Sequence, residues 1–419
     1  IFSGEAESSF RQFVHEFTAG LHRTVREEPA IIASAEPTRE LDGVPLPAYE
    51  DFFSQFAATL ALTSAGRELN DKIWLPYETS RGCWWGQKHH CTFCGLNAEG
   101  MAFRSKSADR VFEDLESLHS GYARDRILMV DNIMPHRYFA TLLPRLAEAD
   151  KKLRIFYEQK ANLSWRRMKL LCDAGVWRIQ PGIEALHSKL LAHMDKGVTA
   201  PQNINCLRYA RAVGLDVAWN LLVDFPGDDP DWYLATAELL PLLTHLQPPS
   251  GISPLSIDRF SPYFDRPDHY GIARLKPIPA YALAYGSDHD IRDVAYHFQG
   301  DYESATRSSP EVTQQLNSRV EEWRLAWSGD VKPLLQVFPL AGDRYLLIDT
   351  RPGARTDAQI IDSTQAAQAL GGAKPTVATA EWEASQQWAR DGGYAVDIDG
   401  HLVPLAIASR GCLDSFDVR

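Results

Sequence analysis

Three cysteines fall within twelve residues of this chain, and they constrain its fold and chemistry more than any other feature. Cys83, Cys91 and Cys94 form this group, while the remaining three cysteines are scattered singly. Three thiolates do not pair off into disulfides, and the closing Cys-x-x-Cys suits a metal. Three thiolates can hold three irons of a [4Fe–4S] cube and leave the fourth iron open to a reactant.

Zinc is the main alternative for these residues, because His89 or His90 would complete a tetrahedral site with the three cysteines. A third interpretation, unligated core cysteines, fits poorly because the cysteines stand among polar residues and tryptophans. Spacing alone does not separate a cluster from zinc. The context favours the cluster: the segment before Cys83 has the pattern of a strand that enters a loop, and Cys-Thr-Phe-Cys-Gly closes that loop.

Size and charge narrow the class of protein. With 419 residues, 45% of them hydrophobic, the chain is long enough for two or three domains. The net charge of −12 disfavours nucleic acid and anionic membranes as partners. No apolar run approaches the roughly 18 residues of a membrane helix. The lack of a signal peptide and the unpaired cysteines predict a cytoplasmic protein.

Between residues 76 and about 260, short apolar runs alternate with helical patterns. Counting the strand before Cys83, there are six such units, each near the ~30 residues that a βα unit requires. This alternation predicts a parallel sheet, and six units are fewer than the eight of a closed barrel. The strands predicted after the first are Arg126–Asp131, Leu153–Glu158, Trp177–Gly182, Leu215–Asn220 and Ile252–Asp258.

Polar residues follow these predicted strands at their carboxyl ends, where the chemistry of parallel βα sheets gathers. Singly, each is most simply a helix cap or a loop ion pair. Together they line the rim that carries the cysteine loop, and we expect about half of them to serve the site. They are Asp131, Asn132, Glu158, Lys160, Gln180, Glu184, Asn220, Asp258 and Arg259.

The segments around this core are predicted separately. Residues 1–22 have the pattern of a strand end, a turn and an amphipathic helix from Ser9 to Leu21, which is too little for a domain. We therefore expect this chain to be the C-terminal part of a longer protein with a preceding α/β domain. Residues 23–75 are predicted to be a linker with proline-rich stretches and a helix near Asp51–Leu60.

Residues 263–330 are rich in aromatic side chains, which would either wall a peptide groove or, as we favour, form a core that joins two domains. A helix is predicted from Pro310 to Ala326. Residues 331–419 then resemble a small winged-helix domain, a kind of module that can bind leader peptides by strand addition. Its predicted elements are strands at Lys332–Phe338 and Arg344–Asp349, helices at Thr356–Leu370 and Ala378–Asp391, and a hairpin at Tyr394–Leu405 with Asp-Gly at its turn.

Taken in order, the motifs resemble the cobalamin-dependent radical S-adenosylmethionine (SAM) C-methyltransferases that mature ribosomally synthesised peptides. The resemblance covers roughly residues 1–300. That superfamily usually has the spacing Cys-x3-Cys-x2-Cys, whereas the first gap here is seven residues, a pattern typical of one subgroup. The segments that carry the resemblance are Arg81–Gly95, Lys106–Ser107, Val130–Asn132, Tyr157–Asn162, Ile179–Glu184, Lys196–Gly197, Trp219–Leu222, Phe225–Gly227, His245–Pro249 and Asp258–Ser261.

The resemblance implies an α/β fold built on a radical SAM (βα)6 partial TIM barrel at residues 76–262. It also implies a remnant of a cobalamin-binding Rossmann-like domain at 1–22. The winged-helix-like α+β domain at 331–419 is predicted from its own pattern of strands and helices. The three clustered cysteines would ligate a [4Fe–4S] cluster whose open iron is chelated by SAM. Phe93 would pack near adenine, Glu184 would contact the ribose or amino group, and Asp131, Glu158, Lys160 and Asn220 would contact the donor or the substrate.

The implied reaction is methylation of an unactivated carbon in a precursor peptide. A 5′-deoxyadenosyl radical would abstract hydrogen, and methylcobalamin would supply the methyl group. No Asp-x-His-x-x-Gly corrinoid-ligand motif occurs in these residues, so cobalamin binding is expected of the full-length protein. The expected partners are the precursor peptide and an electron donor such as flavodoxin or ferredoxin. The alternatives are a non-methylating radical SAM peptide modifier, such as an epimerase or crosslinker, and a zinc-stabilised peptide-binding protein.

Overall fold

The structure of the protein is a computed structural model. Parts of the predicted linker (23–32, 35–36 and 61–71) and of the predicted C-terminal domain (410–411 and 413–419) lie outside the described residues. None of the described helices combines the length and the apolar character needed to cross a membrane. The structure describes residues 2–21, 33–34, 37–60, 72–96, 101–286, 290–373, 375–409 and 412.

The N-terminal segment contains the two helices that the sequence predicts. Strands β1 (Phe2–Ser3) and β2 (Ala33–Ser34) pair in parallel, with α1 (Glu7–Thr18) between them. The second helix, α2, spans Glu50–Leu60. The assignment of residues 1–22 to a cobalamin-binding domain stays a prediction.

An ion cluster joins this segment to the hairpin that carries the cysteine loop. Glu5 bonds Arg81 at 2.9 Å and Arg104 at 2.5 Å, and Glu7 bonds Arg81 at 2.5 Å. Burial opposes ionisation of Glu5, but Arg104, the Thr38 amide and Arg81 outweigh it and lower its pKa to about 2. The N-terminal segment is therefore held against the base of the cysteine loop by partly buried charges rather than by an apolar core.

Five parallel strands form the central sheet. In spatial order they are Leu75–Tyr77, Arg126–Met129, Arg154–Glu158, Val176–Gln180 and Asp216–Val217. This confirms the predicted parallel sheet. Buried residues alternate along the strands, as Ile127 and Met129 do, because a strand turns every second side chain to the same face. The elements from the first sheet strand to the fourth are β3 (Leu75–Tyr77), β4 (Ser80–Arg81), β5 (Arg104–Ser105), α3 (Ala108–Tyr122), β6 (Arg126–Met129), α4 (Tyr138–Thr141), α5 (Leu143–Glu148), β7 (Arg154–Glu158), α6 (Trp165–Asp173) and β8 (Val176–Gln180).

The predicted fifth strand, at 215–220, is divided in the structure. Its first part pairs with β8, and the following residues pair with the next strand in a separate parallel pair. Trp219 lies in the break, where it is buried and donates its indole N–H to Gln247. A single bridge from Glu184 to Leu221 links the end of the large sheet to this pair. The elements are α7 (Ser188–His193), α8 (Ala200–Val213), β9 (Asp216–Val217), β10 (Leu221–Val223), α9 (Pro230–Leu239), β11 (Ile252–Pro254) and β12 (Ile257–Asp258).

The aromatic-rich connector supplies core residues and a three-stranded sheet. Tyr263 and Phe298 are fully buried, which supports a joining core rather than an open groove. The helix predicted at 310–326 is present, with Trp323 buried on its inner face. The elements are α10 (Pro262–Asp265), β13 (Ala273–Pro277), α11 (Pro279–Tyr285), α12 (Ile291–Val294), β14 (His297–Asp301), α13 (Ala305–Ser308) and α14 (Pro310–Ser328).

The C-terminal region is an α+β unit with one error in its predicted elements. The helix expected at 356–370 begins only at Ser363, because 358–362 form an edge strand that pairs with the strand before it. The hairpin is confirmed, with Asp399 and Gly400 both at positive φ in its turn. The winged-helix assignment and the domain boundaries stay predictions. The elements are β15 (Leu335–Pro339), β16 (Arg344–Asp349), β17 (Ala358–Asp362), α15 (Ser363–Leu370), α16 (Thr379–Asp391), β18 (Ala395–Ile398), β19 (His401–Pro404) and β20 (Ile407–Ala408).

Candidate functional site

The cysteine loop is the connection between β4 and β5, an antiparallel pair at the carboxyl end of the first sheet strand. Gly82 begins the loop at φ 79°, and a side-chain carbon there would lie 2.4 Å from the carbonyl oxygen of Ala102. At the other side of the loop, the Thr92 amide donates to the Met194 carbonyl at 3.0 Å. The loop is thus fastened both to its own hairpin and to the segment after α7.

All three cysteines line a single cavity of about 230 Å³ at this end of the sheet. The strand ends contribute polar side chains to the same cavity, which places the predicted rim and the cysteine loop together. Seven of the nine residues predicted to bind the cluster, the donor or the substrate lie on its wall. They are Cys83, Cys91, Phe93, Cys94, Glu158, Lys160 and Glu184.

Backbone amides and cations surround the cysteine sulfurs. The Gly86 N–H donates to Cys83 Sγ at 3.3 Å, and the Leu96 N–H donates to the Cys94 sulfur. Burial raises the pKa of Cys94 to about 11 and also raises the pKa of Cys91, which Lys196 and Lys160 counteract. A metal-bound cysteine must be a thiolate, so N–H donors and nearby cations are what such a ligand set needs.

Two lysines are held beside the sulfurs by fixed contacts. Lys160 Nζ lies 3.2 Å from the ring centroid of Trp85 and donates to the Lys196 carbonyl at 2.8 Å. Burial lowers the pKa of Lys160 to about 8. Gly197 makes the arrangement possible, because a side-chain carbon there would lie 2.0 Å from the Trp85 ring.

Two carboxylates face the cavity from neighbouring strand ends. Glu184 has an unusual positive φ of 57° and accepts a 2.9 Å hydrogen bond from Lys196 Nζ. Burial lowers the pKa of Lys196, but Glu184 and the Cys91 thiolate outweigh that effect and raise it. Glu158 is buried enough that its pKa rises to about 7, although Lys196 opposes the rise. The cavity therefore contains one carboxylate, Glu184, in an ion pair with Lys196, and a second, Glu158, that gains or loses its proton near neutral pH.

The histidines of the zinc alternative are directed to other contacts. His90 Nε2 lies 2.8 Å from the Cys94 carbonyl oxygen, and the His89 ring stacks on Trp85 with centroids 4.3 Å apart. Among the described residues, no three Cys, His, Asp or Glu side chains are close enough to hold one metal ion. Cysteines that bind a cube each hold a different iron and need not converge on one point, so the donor set fits a cluster better than zinc.

A sequence model of the radical SAM superfamily matches residues 77–240, the stretch from β3 to the end of α9 that carries the cysteine loop. Residues 77–240 are therefore similar in sequence to a radical SAM domain. This family uses a [4Fe–4S] cluster and SAM, and the sulfurs, amides and cations of the cavity fit such a cluster.

Three curated relatives match part of this chain in sequence. An uncharacterized methyltransferase of Pyrococcus horikoshii is 25% identical over 261 residues, which cover 56% of this chain and 50% of the relative. The hopanoid C-3 methylase of Methylococcus capsulatus is 27% identical over 161 residues, 37% of this chain and 29% of the relative. The 4′-phospho-dehydrooxetanocin synthase of Priestia megaterium is 29% identical over 174 residues, 34% and 22% respectively. The chain thus spans half or less of the length of these relatives.

A solved structure of similar fold is that of the cobalamin-dependent SAM radical enzyme OxsB with aqua-cobalamin and SAM bound. It has a TM-score of 0.54 and 16% identity, and the match covers 78% of this chain and 50% of OxsB. OxsB with aqua-cobalamin alone matches with a TM-score of 0.53 over 72% of this chain and 48% of OxsB. At this identity the likeness establishes the α/β radical SAM fold.

Asp131 and Asn220 are the two predicted site residues that do not line the cavity. Asp131 is fully buried and accepts hydrogen bonds from the Thr79 amide at 2.7 Å and the Ser80 hydroxyl at 2.8 Å. Asn220 is exposed on the segment between β9 and β10. Asp131 therefore connects the end of β6 to the segment before the cysteine loop. This is a structural contact rather than the predicted contact with donor or substrate.

Asp131 makes stability depend on pH. Burial raises its pKa from 3.8 to about 6 despite hydrogen bonds from Thr79 and Ser80. The folded protein then binds the proton more tightly than the unfolded chain, so stability falls as pH rises from about 4 to 6, by about 3 kcal/mol. Asp131→Asn cannot ionise. Its stability relative to wild type should therefore improve by about this amount between pH 4 and pH 7 in urea unfolding.

The matched control is Asp109→Asn, since Asp109 is 83% exposed in an ion pair with Arg145. Its stability relative to wild type should not follow the same curve, because an exposed pair is worth little. A constant difference between Asp131→Asn and wild type across this pH range would contradict the assignment.

Lys196 and Gln159 line the cavity but had no predicted role. Lys196 and Gly197 follow α7, and the sequence analysis uses this pair only as one of the segments that carry the resemblance. A lysine followed by a glycine directly after a helix is the sequence signal that could have indicated a site residue here. Gln159 follows Glu158, the last residue of β7, and precedes Lys160, so it lies between two charged residues that the sequence singles out.

Proposed function

We propose that this protein is a radical SAM enzyme that methylates an unactivated carbon of a ribosomally synthesised precursor peptide. The observation that carries the proposal is the placement of Cys83, Cys91 and Cys94 on one cavity with N–H donors to their sulfurs, inside a radical SAM domain. Support for methylation comes from the relatives, of which one is named a methylase and another a methyltransferase.

When bound, the cluster, SAM and methylcobalamin would supply the reducing electron, the 5′-deoxyadenosyl radical and the methyl group. The residues of this chain would bind and orient the cluster and SAM and exclude water from them. Trp85 covers one side of the loop and is fixed by an indole hydrogen bond to the Asp195 carbonyl at 3.0 Å. Phe93 presents its ring to the cavity, where adenine would stack, with Lys196 Nζ 5.2 Å from the ring centroid. Glu184 would accept from the ribose or the amino group, with Lys196 holding its orientation.

Cobalamin is proposed to bind mainly to residues upstream of this chain. OxsB, whose fold is similar, has aqua-cobalamin bound, and this chain spans about half of it. The exposed apolar face of α1, with Phe10 at 53% and Phe17 at 62% exposure, is consistent with further chain packing there. We also propose that the protein is cytoplasmic, where its six cysteines, none of which is in a disulfide, would stay reduced.

The peptide partner is proposed from the C-terminal α+β unit, taken as winged-helix-like. Strand β17 is the edge of the four-stranded sheet, and Ile360 on it is 61% exposed. An unpaired edge can accept an extended peptide as an additional strand. Flavodoxin or ferredoxin is the proposed electron donor. The alternative enzyme is a non-methylating radical SAM peptide modifier, an epimerase or crosslinker, which would use the same cavity.

Anaerobic reconstitution with iron and sulfide tests the proposal. A brown protein that releases 5′-deoxyadenosine from SAM after reduction supports radical SAM chemistry. A colourless protein with stoichiometric zinc overturns it in favour of the zinc-stabilised binding protein. Cobalamin-dependent methyl transfer to the precursor peptide, in a protein that includes the upstream residues, separates a methylase from an epimerase or crosslinker.

Glu184→Gln is expected to weaken SAM binding by about 10- to 100-fold. The substitution removes the charge from a hydrogen bond worth about 1.5–3 kcal/mol. Equilibrium dialysis with the reconstituted protein measures this. Glu238→Gln makes the same chemical change on the exposed side of α9 and should leave the dissociation constant unchanged. Equal affinities for both variants would rule out Glu184 as a SAM contact.

A further inference from the structure

The hydroxyl of Tyr296 is buried without a hydrogen-bond partner among the described residues. It faces the cysteine loop: a side-chain carbon on Gly95 would lie 3.0 Å from the hydroxyl oxygen. Gly95 directly follows the last cysteine of the group. A buried, unpaired hydroxyl costs about 1–3 kcal/mol, so a group at this position calls for a partner.

The position of Tyr296 is fixed by its backbone. Its N–H donates to the Tyr281 hydroxyl at 3.0 Å, and its carbonyl accepts from the Arg259 amide at 2.7 Å. The Arg259 side chain also donates to the carbonyl of Ala295 at 2.7 Å. These three hydrogen bonds fix the backbone of Tyr296 and of the residue before it, so the side chain starts from a fixed position next to the loop.

The carboxylate of Asp258 does not satisfy the Tyr296 hydroxyl. Asp258 lies close enough to affect Tyr296, but its Oδ1 accepts from His297 Nδ1 at 2.8 Å. Burial, Asp258 and the Cys94 thiolate together raise the pKa of Tyr296 to about 12, so the hydroxyl keeps its proton at neutral pH. A protonated hydroxyl beside Cys94 is a hydrogen-bond donor whose natural acceptor is a sulfur of the cysteine site.

We propose that Tyr296 donates its O–H to the Cys94 sulfur, or to the cluster sulfide beside it, when the cluster is bound. This rests on the cluster of the proposed function. Hydrogen bonds to the sulfurs are among the features that set the reduction potential of a cluster. Reduction places more negative charge on the sulfurs. A hydrogen bond donated to them therefore stabilises the reduced cluster more than the oxidised cluster. Tyr296 therefore makes the cluster easier to reduce.

The test is a redox titration of the reconstituted protein followed by electron paramagnetic resonance. Tyr296→Phe removes only the hydroxyl, and the ratio of reduced to oxidised cluster at a fixed potential should fall about tenfold, a shift of about 59 mV for one electron. Tyr285→Phe removes a hydroxyl from an exposed tyrosine and should titrate like wild type. A potential for Tyr296→Phe equal to that of wild type would overturn the inference.

A second measurement on the wild-type protein needs no variant. Hydroxyl protons exchange with D2O far faster than buried backbone amides, so brief exchange should shift the iron–cysteine stretching frequencies in resonance Raman spectra. Unshifted frequencies would overturn the hydrogen bond even if Tyr296→Phe failed to fold. Failure of the cluster itself is recognised separately, because wild type would then show no cluster signal at all.

Discussion

Serine in place of Cys83, Cys91 or Cys94 should abolish cluster binding and lower 5′-deoxyadenosine release below about one hundredth of wild type. Substitutions that only orient metal ligands typically cost 10- to 100-fold, and loss of a ligand should cost more. A serine hydroxyl at these positions is too weak an acid to replace a thiolate. Iron content and the visible absorption of the reconstituted protein measure cluster binding, and chromatography measures the nucleoside.

The matched control is Cys172→Ser. Cys172 is half-buried on α6, its Sγ lies 3.5 Å from the Val213 carbonyl, and it does not line the cavity. Its iron content and activity should equal those of wild type. Wild-type iron in any one of the three clustered variants would mean that the cysteine in question is not a ligand, and wild-type iron in all three would remove the cluster from the site.

The cysteine site was predictable because its ligands are close in sequence. A loop of twelve residues brings three thiols to one place whatever the surrounding fold. Lys196 and Tyr296 reach the same place from far along the chain, one from the segment after α7 and the other from the connector before β14. Only the closed fold shows these contacts, so sequence reasoning gave neither residue a role.

The two outcomes for Asp131 and Glu158 have a simple physical cause. Along β6 the buried side chains are Ile127 and Met129, and Asp131, two residues beyond the end of that strand, is buried as well. Along β7 the buried side chains are Ile155 and Tyr157, so Glu158 has the opposite parity and faces the cavity. Alternation along β7 accounts for the position of Glu158. Asp131 lies beyond its strand, and its burial is explained by the hydrogen bonds that it accepts from Thr79 and Ser80.

The fold was predicted best where periodicity was strong and worst where two patterns overlapped. The parallel strands and the long helix at 310–328 follow their patterns closely. The sequence pattern does not separate the strand at 358–362 from the helix that follows, because Ile360 and Ile361 suit both structures. Asp362 settles the boundary: its side chain accepts from the Gln365 amide at 2.8 Å and caps the helix.

Gly95→Ala is expected to prevent the cysteine loop from packing against the end of β12. A methyl group at this position would lie 2.1 Å from the Arg259 carbonyl oxygen and 2.7 Å from Cβ of Asp258. A backbone oxygen does not rotate away, so the loop itself must shift, at a cost of about 1–3 kcal/mol or more. Because Gly95 adjoins Cys94, the shift should lower iron incorporation several-fold and also displace the Tyr296 hydroxyl from its acceptor.

Gly121→Ala is the matched control, because Gly121 lies at the end of α3 with no heavy atom within 4 Å of the added carbon. Alanine there should leave iron content unchanged and stabilise the helix by about 0.5–1 kcal/mol. Thermal unfolding and iron content are measured for both variants after identical reconstitution. If Gly95→Ala incorporates iron like Gly121→Ala, the loop tolerates displacement and the close approach of Gly95 to Arg259 does not position the cluster ligands. A loss confined to Gly95→Ala, with the unfolding temperature of the core retained, locates the effect in the loop rather than in the sheet.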